Sequence, residues 1–433
     1  MDRCWESKGQ RNPSAWCAAL ALGLMVTIAR PVVGADEALP RAKSETVGMS
    51  SERLQRLSQR MQQYIDKGQV AGVVTLLARQ GKVVHYEAQG YRNREDKLPM
   101  QKDDIFVIMS MTKPIASTAL MMLHEEGKFR LSDPISKWLP EFDKMQVRIA
   151  EGESGFKLVP ARPITVRHVL THTAGLARGT GTPASASPAT TLRERVKRIA
   201  AAPLSFQPGE KWEYGSATDV VAALAEVLSG MNMDDFFRER IFTPLGMNDT
   251  HYNVPESKSA RRPVVYVPQQ DGSIQPRPAT RPTTTTIFAG VAGLSSTAAD
   301  YFKFQQMILN GGEYNGKRLL SPTTIDLMIA NHVGDVPVTL KGPGYGFGLG
   351  YSILLDAGKS SESLTPGTFG WGGAWGTYFF VDPVEELIGV LMLQITSYAH
   401  LNIRQDLGAL AMQAITESKY GDRQRIRGYV PLR

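Results

Sequence analysis

FVIMSMTKPIASTALMMLHE, residues 106–125, decides the fold of this 433-residue chain. From Ile115 to Leu123 the residues are apolar almost all round, so the pattern predicts a buried helix. Pro114 agrees with a helix that begins just before it, because proline is tolerated in the first helical turn and not deeper. A buried helix is a rigid support on which reactive side chains can be held.

Two polar side chains stand at the start of this helix. Ser110 and Lys113 are three residues apart, and such residues share one face of a helix. Serine becomes a nucleophile when a base takes its proton, and a buried lysine amine near the positive helix start is a candidate base. A serine that merely caps the helix is the alternative. The chain also holds Ser154 and Lys157, but glycines and charges predict a loop there, so context favours Ser110.

The flanking segments predict a sheet with helices packed on it. Ser51 to Asp66 carries one apolar stripe at helical spacing. Two β-rich runs, from Val70 and from Lys82, follow it, and Gln80-Gly81 between them predicts a hairpin turn. Near the end of the chain, two more β runs, 376–381 and 387–394, predict a second antiparallel hairpin, and residues 402–416 predict a helix that packs back on the sheet.

Two histidines four residues apart, His168 and His172, suggest a metal site if both lie on one helix. A zinc-protease helix also needs a glutamate after the first histidine, and Val169 stands there instead, with no third ligand evident. We therefore expect no metal. His172 as the base of a serine–histidine–aspartate triad remains an alternative to Lys113.

Tyr214 is a further candidate for proton transfer. It precedes a predicted helix that runs to about Leu228, and Ser216 with Asp219 resembles a capping box that opens this helix. A tyrosine at such a loop end can exchange protons with a serine and a lysine when its surroundings are positive. The alternative is a half-buried structural tyrosine.

Paired glycines mark a last candidate site, Trp371-Gly372-Gly373-Ala374, before the second hairpin. Glycines at a strand end let a ligand approach the backbone closely. The backbone N–H of Ala374 could then join that of Ser110 in holding an oxyanion. A bulge with packed aromatic residues is the alternative. The glycines of FAGVAGLSST, residues 288–297, lack the lysine of a nucleotide loop and indicate close backbone packing, before a helix from Ala298 to Leu309.

The first 35 residues predict an export signal, with a basic start, an apolar run from Ala15 to Ala29, and small residues at Val33 and Ala35. A retained anchor is the alternative. This segment contains both cysteines of the chain, so the remaining 398 residues can form no disulfide. The segment carries four basic and two acidic residues, which leaves the remaining residues with a net charge of +5.

The basic residues of the remaining chain are scattered, which argues against nucleic-acid binding. We expect a periplasmic or secreted protein with no stable membrane partner.

Three of these motifs, in this order, make a resemblance: Ser110-x-x-Lys113, Tyr214-Gly215-Ser216 and Trp371-Gly372-Gly373. Together with the phrases ITVRHVLTHTAGL, FQPGEKWEYGSA and PLGMNDT, they resemble the serine β-lactamase and penicillin-binding superfamily. The similarity covers about residues 45–415 and is closest to the class C branch and its family VIII carboxylesterases.

The resemblance implies an α/β (α+β) fold, with an antiparallel sheet flanked by helices and a mostly helical lobe. We expect one domain over residues 36–433, with that lobe at about 115–285. It further implies that Ser110 is the acylated nucleophile, that Lys113 and Tyr214 shuttle its proton, and that Ala374 supplies half of the oxyanion hole. It makes His172 structural and implies no cofactor.

Two departures from the β-lactamase pattern bear on the substrate. Ser216 stands where an asparagine is typical, and Trp371 stands where a lysine is typical. Tryptophan offers an apolar wall in place of a charge, so we expect neutral or hydrophobic acyl groups and a carboxylesterase. An amidase, a D,D-peptidase or a weak β-lactamase of the same mechanism remains an alternative, as does a non-catalytic binding protein of this fold.

Overall fold

The computed structural model describes residues 39–152, 155–176, 191–278 and 284–420. The α-helices of these residues are α1 Ser51–Asp66, α2 Thr112–Glu125, α3 Val166–Leu170, α4 Leu192–Ala200, α5 Ala217–Ser229, α6 Met233–Phe237, α7 Thr243–Leu245, α8 Ala298–Leu309, α9 Pro322–Met328 and α10 Ile403–Gln413. The strands are β1 Gly72–Arg79, β2 Lys82–Asn93, β3 Leu98–Pro99, β4 Phe106–Val107, β5 Gln146–Glu151, β6 Gly155–Pro160, β7 Tyr266–Pro268, β8 Ile274–Pro276, β9 Ser295–Ser296, β10 Glu313–Tyr314, β11 Lys317–Arg318, β12 Tyr345–Phe347, β13 Ser352–Leu354, β14 Phe369–Gly372, β15 Tyr378–Asp382 and β16 Leu387–Met392.

Eight strands form one antiparallel sheet in the order β12-β13-β14-β15-β16-β1-β2-β3. The N-terminal and C-terminal parts of the chain meet at its centre, where β1 pairs with β16. Gln80 and Gly81 join β1 to β2 with φ values of 54° and 73°. Positive φ at both central residues is the twist that a two-residue hairpin needs, so the predicted turn is confirmed.

Successive side chains of a strand point to opposite faces of the sheet, and both faces are buried against helices. On β1, Val74 and Leu76 belong to a core shared with α2, α5 and α8. Val73 and Leu77 belong to a second core, shared with α1 and α10. The antiparallel sheet with helices on its faces, predicted from the sequence, is therefore confirmed.

Several predicted elements have the expected bounds. Helix α1 covers Ser51–Asp66, and the Ser50 hydroxyl caps it by accepting the Arg53 N–H at 3.2 Å. Helix α8 covers Ala298–Leu309. Every residue of α2 from Thr112 to Leu123 is buried, as its apolar sequence predicts. The second hairpin forms from β15 and β16, and α10 packs against α1 and β16.

The loop predicted around Lys157 is wrong. Residues 146–151 and 155–160 pair as the antiparallel hairpin β5–β6, in which Lys157 lies opposite Ile149. Val147 and Ile149 alternate with the polar residues of β5, a period-2 signal that the interpretation of residues 151–160 as a loop did not use. Ser154 lies outside the described residues. The segment for which a helical lobe is predicted, about 115–285, holds most of α2 and all of α3 to α7, together with the hairpins β5–β6 and β7–β8.

Within the described residues, helices are either too short or too polar to cross a lipid bilayer.

Candidate active site

Ser110 lies in a 3-10 turn, Met109–Met111, that leads directly into α2. The helix thus begins at Thr112, two residues later than the serine. Met109 has a φ of 48°, a conformation that costs energy for a residue with a side chain and that occurs at functional sites. Strand β4, just before the turn, pairs with β9, so residues far along the chain hold this segment in place.

Lys113 reaches back from α2 to the serine. Its Nζ donates to the Ser110 Oγ at 3.1 Å and to the Val291 carbonyl at 2.8 Å. The side chain is buried, with 4% of its surface exposed, whereas Ser110 is half-buried. The structure therefore brings the first two predicted residues into hydrogen-bond contact at the edge of the core.

Tyr214 lies beside this pair, just before α5. The Lys113 Nζ is 4.6 Å from the centre of its ring, a cation–π distance. The Tyr214 hydroxyl accepts a hydrogen bond from the Trp371 Nε1 at 3.2 Å. The two rings belong to an aromatic cluster whose other members are His172, Trp212 and Phe347. This cluster lies beside the site as a largely apolar wall, and within it the Trp371 Nε1–H donates to the Tyr214 hydroxyl.

Asp219 supports Lys113 indirectly, through the backbone of Val291. Its carboxylate, fully buried, accepts the Val291 N–H at 3.1 Å, and the Val291 carbonyl in turn accepts from Lys113. Burial raises the pKa of the Asp219 carboxyl, and the Arg195 guanidinium at 2.7 Å opposes that rise. Val291 and Asp219 thus fix the lysine amine, a role that sequence reasoning missed.

The capping box predicted for Ser216 and Asp219 is wrong. Ser216 occupies the N-cap position of α5, but its side chain makes no capping hydrogen bond. Asp219 is drawn instead to Val291 and Arg195. The close backbone packing predicted for the glycines at 288–297 is confirmed, since a Cβ on Gly290 would stand 2.2 Å from the Thr218 carbonyl oxygen. This packing brings Val291 to the lysine.

The turn after β14, residues 373–377, lies against the backbone just before Ser110. A Cβ on Gly373 would stand 2.4 Å from the Ile108 carbonyl oxygen, and the Thr377 hydroxyl donates to the same oxygen at 3.3 Å. The Gly373 N–H closes the turn by donating to the Thr377 carbonyl at 2.8 Å. Ala374 is exposed. Among the described residues, neither the Ser110 N–H nor the Ala374 N–H donates to a backbone or side-chain acceptor.

Arg404, at the start of α10, holds this turn from the other side. Its Nη2 donates to the Gly373 and Thr377 carbonyls at 2.5 and 2.6 Å, and its Nε donates to the Gly376 carbonyl at 3.2 Å. A Cβ on Gly372 would stand 2.7 Å from the guanidinium carbon, so glycine is needed there for the guanidinium to fit. No motif in the sequence connects Arg404 with residues 371–374.

The two histidines do not share a helix, so the condition for a metal site on one helix is not met. His168 lies on α3 and its Nδ1 accepts the Thr165 N–H at 3.2 Å, which closes a capping box. His172 comes after the helix, with a φ of 59°, and its ring contacts the aromatic cluster at Trp212 and Tyr214. Within the described residues, no three His, Cys, Asp or Glu side chains come together in a group that could hold a metal ion.

This geometry can support acyl transfer, because it brings together a hydroxyl in contact with a buried amine, a phenol beside the amine, and two backbone N–H groups on facing turns.

Comparison with known proteins agrees with this chemistry. The family model described as Beta-lactamase matches residues 57–411. The chain is 33% identical to Protein Rv1367c of Mycobacterium tuberculosis, over 76% of this chain and 87% of that protein.

It is also 32% identical to Esterase EstB of Burkholderia gladioli, over 79% of this chain and 90% of that protein. Among solved structures, EstCE1, described as a hydrolase with promiscuous acyltransferase activity, superposes with a TM-score of 0.70 at 27% identity, over 84% of this chain and 98% of that chain. The resemblance seen in the sequence motifs is thus confirmed, and this chain belongs to the Beta-lactamase family.

Proposed function

We propose that this protein is a serine hydrolase that cleaves carboxylic esters through an acyl-enzyme on Ser110. The observation that carries the proposal is the contact of 3.1 Å between the Ser110 hydroxyl and the buried Lys113 amine. The names of the relatives EstB and EstCE1, an esterase and a hydrolase, support the same reaction class.

In the first step the Ser110 Oγ attacks the ester carbonyl carbon and its proton passes to the Lys113–Tyr214 pair. The buried Lys113 amine contacts the Ser110 oxygen and therefore lies where it can take this proton. Val291 and the Tyr214 ring hold the amine facing the serine. The carbonyl oxygen becomes an oxyanion, which the N–H groups of Ser110 and Ala374 bind.

In the second step the carbon–oxygen bond to the alcohol breaks. The leaving alkoxide takes the proton back by way of Tyr214, and the alcohol departs. A water molecule then attacks the acyl carbon and gives a proton to the same pair. The bond between the acyl carbon and the Ser110 Oγ breaks, the pair returns the proton to Oγ, and the carboxylic acid leaves. The Trp371 N–H donates to the Tyr214 oxygen and so holds the phenol in place for both transfers.

The substrate class follows from what surrounds the serine. Trp371, a member of the aromatic cluster, stands where a lysine is typical of β-lactamases, so we expect esters of neutral, hydrophobic acids. Amides, D,D-peptides and β-lactams share the mechanism, and their slower turnover relative to p-nitrophenyl butyrate would agree with an esterase.

Intact mass spectrometry after exposure to a fluorophosphonate tests the proposal. We expect one adduct on the wild type, mapped to Ser110, and none on Ser110→Ala. Ser154→Ala is the matched control, because it removes the serine of the other Ser-x-x-Lys and should label like the wild type. Absence of an adduct on the wild type, or an adduct that survives in Ser110→Ala, would refute the proposal.

We also propose that the protein is exported, to the periplasm or the medium, after cleavage near residue 35. The basic start and the apolar run at residues 15–29 support this. N-terminal sequencing of the protein recovered from a periplasmic fraction tests it, and an intact Met1 in a membrane fraction would favour the anchor instead.

A further inference from the structure

We propose that Arg404 is a positioning residue for the oxyanion hole: its guanidinium fixes the peptide between Gly373 and Ala374 so that the Ala374 N–H faces the acyl site. The inference rests on the proposed function, in which this N–H binds the oxyanion. It concerns a residue that lies outside all the sequence motifs.

The geometry of a single peptide group carries the inference. The Gly373 carbonyl and the Ala374 N–H belong to the same peptide unit, and in a trans peptide the two point in opposite directions. The carbonyl accepts from the Arg404 Nη2 at 2.5 Å and, more weakly, from the Gly376 N–H at 3.2 Å. The Ala374 N–H therefore points away from Arg404. The same turn lies against Ile108, two residues before the nucleophile.

The guanidinium also prevents the turn from rotating. It donates to the carbonyls of Gly373, Gly376 and Thr377, three acceptors within one five-residue turn. A planar guanidinium with several donors holds such a set more rigidly than an ammonium group does. Tyr398 packs against its other side, with the ring centre 4.1 Å from the guanidinium carbon.

The charge has a second effect on the same peptide. A cationic donor polarises the carbonyl that it contacts, and hydrogen-bonded groups in a chain strengthen one another. Polarisation of the Gly373 carbonyl makes the attached Ala374 N–H a better donor to a developing negative charge. Arg404 thereby acts on the transition state through the peptide, without contact with the substrate.

A different role for Arg404 is to bind a carboxylate on the substrate directly. The observed contacts argue against it, because Nε and Nη2 are directed to backbone carbonyls of the turn. The two roles differ in what they predict. A ligand for a carboxylate affects the KM of anionic esters, whereas a positioning residue affects the kcat of every ester.

Steady-state kinetics of Arg404→Met and Arg404→Lys test the proposal, with p-nitrophenyl acetate as the neutral ester and mono-p-nitrophenyl succinate as the anionic ester. For Arg404→Met we expect kcat to fall roughly 10- to 100-fold on both esters, with KM changed less than about threefold. Arg404→Lys should lie between this variant and the wild type. The affinity for phenylboronic acid, whose adduct places an oxygen in the oxyanion hole, should fall in parallel with kcat.

Asp406→Asn is the matched control on the same helix. Asp406 accepts from Arg60 at 2.6 Å and from the Tyr64 hydroxyl at 2.7 Å, so its loss loosens α10 from α1 without touching the turn. We expect a lower melting temperature for Asp406→Asn and an unchanged kcat. If Asp406→Asn loses as much kcat as Arg404→Met, the role of Arg404 is only to hold the helix and the proposal is wrong.

Two further outcomes would overturn it. One is a wild-type kcat in a folded Arg404→Met variant, and the other is a loss confined to the KM of the succinate ester. Fluorophosphonate labelling separates these outcomes from a failure of the proposed function: the Arg404 variants should still label fully at Ser110, more slowly, whereas a wild type that does not label would refute the hydrolase itself.

Discussion

Asp219 offers a test of how the lysine is held, because its side chain can be changed in two graded ways. Asp219→Asn removes the charge and keeps an oxygen that can accept the Val291 N–H. Asp219→Ala removes that acceptor as well. The wild-type carboxylate contacts Val291 at 3.1 Å and Arg195 at 2.7 Å.

The contacts give the size of the expected changes. A hydrogen bond to a charged group contributes about 1.5–3 kcal/mol and a neutral one about 0.5–1.5 kcal/mol, so Asp219→Asn should lower the free energy of unfolding by about 1–2 kcal/mol. The Arg195 side chain is 41% exposed, so it can turn to water when its partner is lost. Asp219→Ala leaves the Val291 N–H without its acceptor and should cost about 1–3 kcal/mol more.

Activity should separate the two variants more sharply than stability does. In Asp219→Asn the Val291 carbonyl keeps its place, so kcat should stay within about threefold of the wild type. In Asp219→Ala the loop is released and the Lys113 amine loses its support, which should lower kcat roughly 10- to 100-fold, the cost of a displacement of about 1 Å. Urea unfolding and p-nitrophenyl butyrate kinetics measure both quantities. Equal kcat values for the two variants would refute the reasoning, since the acceptor for Val291 would then not matter.

Two further predictions concern stability. Arg79 and Glu385 form an ion pair at 2.6 Å, and both side chains are almost fully buried. Arg79→Met would leave the Glu385 carboxylate buried without its cation, so the free energy of unfolding in urea should fall by about 3–5 kcal/mol. A loss under about 1 kcal/mol would contradict this. Burial lowers the pKa of His168 from 6.5 to about 4, so between these values the unfolded chain binds more protons and stability should fall as the pH falls. The urea midpoints of wild type and His168→Gln at pH 7 and pH 4.5 measure this, and an equal acid loss in both would contradict it.

The elements that the sequence predicted well are those defined by local forces. Helix α1 has one apolar stripe and a capping serine, and the β1–β2 turn has a glycine where φ must be positive. Ser110 and Lys113 lie three residues apart, in the 3-10 turn and in the first turn of α2, so their proximity is local. That local spacing is enough to predict their contact at 3.1 Å, although residues far along the chain hold both in place.

The missed residues act over long separations in the sequence. Val291 is 178 residues from Lys113, and Arg404 is 31 residues from Gly373. Val291 binds Lys113 with its own backbone carbonyl, and Arg404 binds the backbone carbonyl of Gly373. A backbone carbonyl is the same in every residue, so no residue type in the sequence marks such a contact. The capping box predicted at Ser216 is absent for a related reason. Asp219 has the right spacing for a local bond to Ser216, but its carboxylate binds the Val291 N–H and the Arg195 guanidinium instead.

The three polar contacts around Ser110 share one design. Lys113 is held by the Val291 carbonyl, the Tyr214 hydroxyl by the Trp371 indole, and the Gly373 peptide by the Arg404 guanidinium. In each case the group expected to react with substrate or bind it is oriented by a group from a distant part of the chain. Of the two basic side chains among these residues, Lys113 contacts the nucleophile and Arg404 contacts backbone carbonyls. Neither is directed at a substrate carboxylate. We therefore expect Trp371→Phe to keep the preference for uncharged acyl groups. Its kcat should fall, because the indole N–H that holds the Tyr214 hydroxyl is lost.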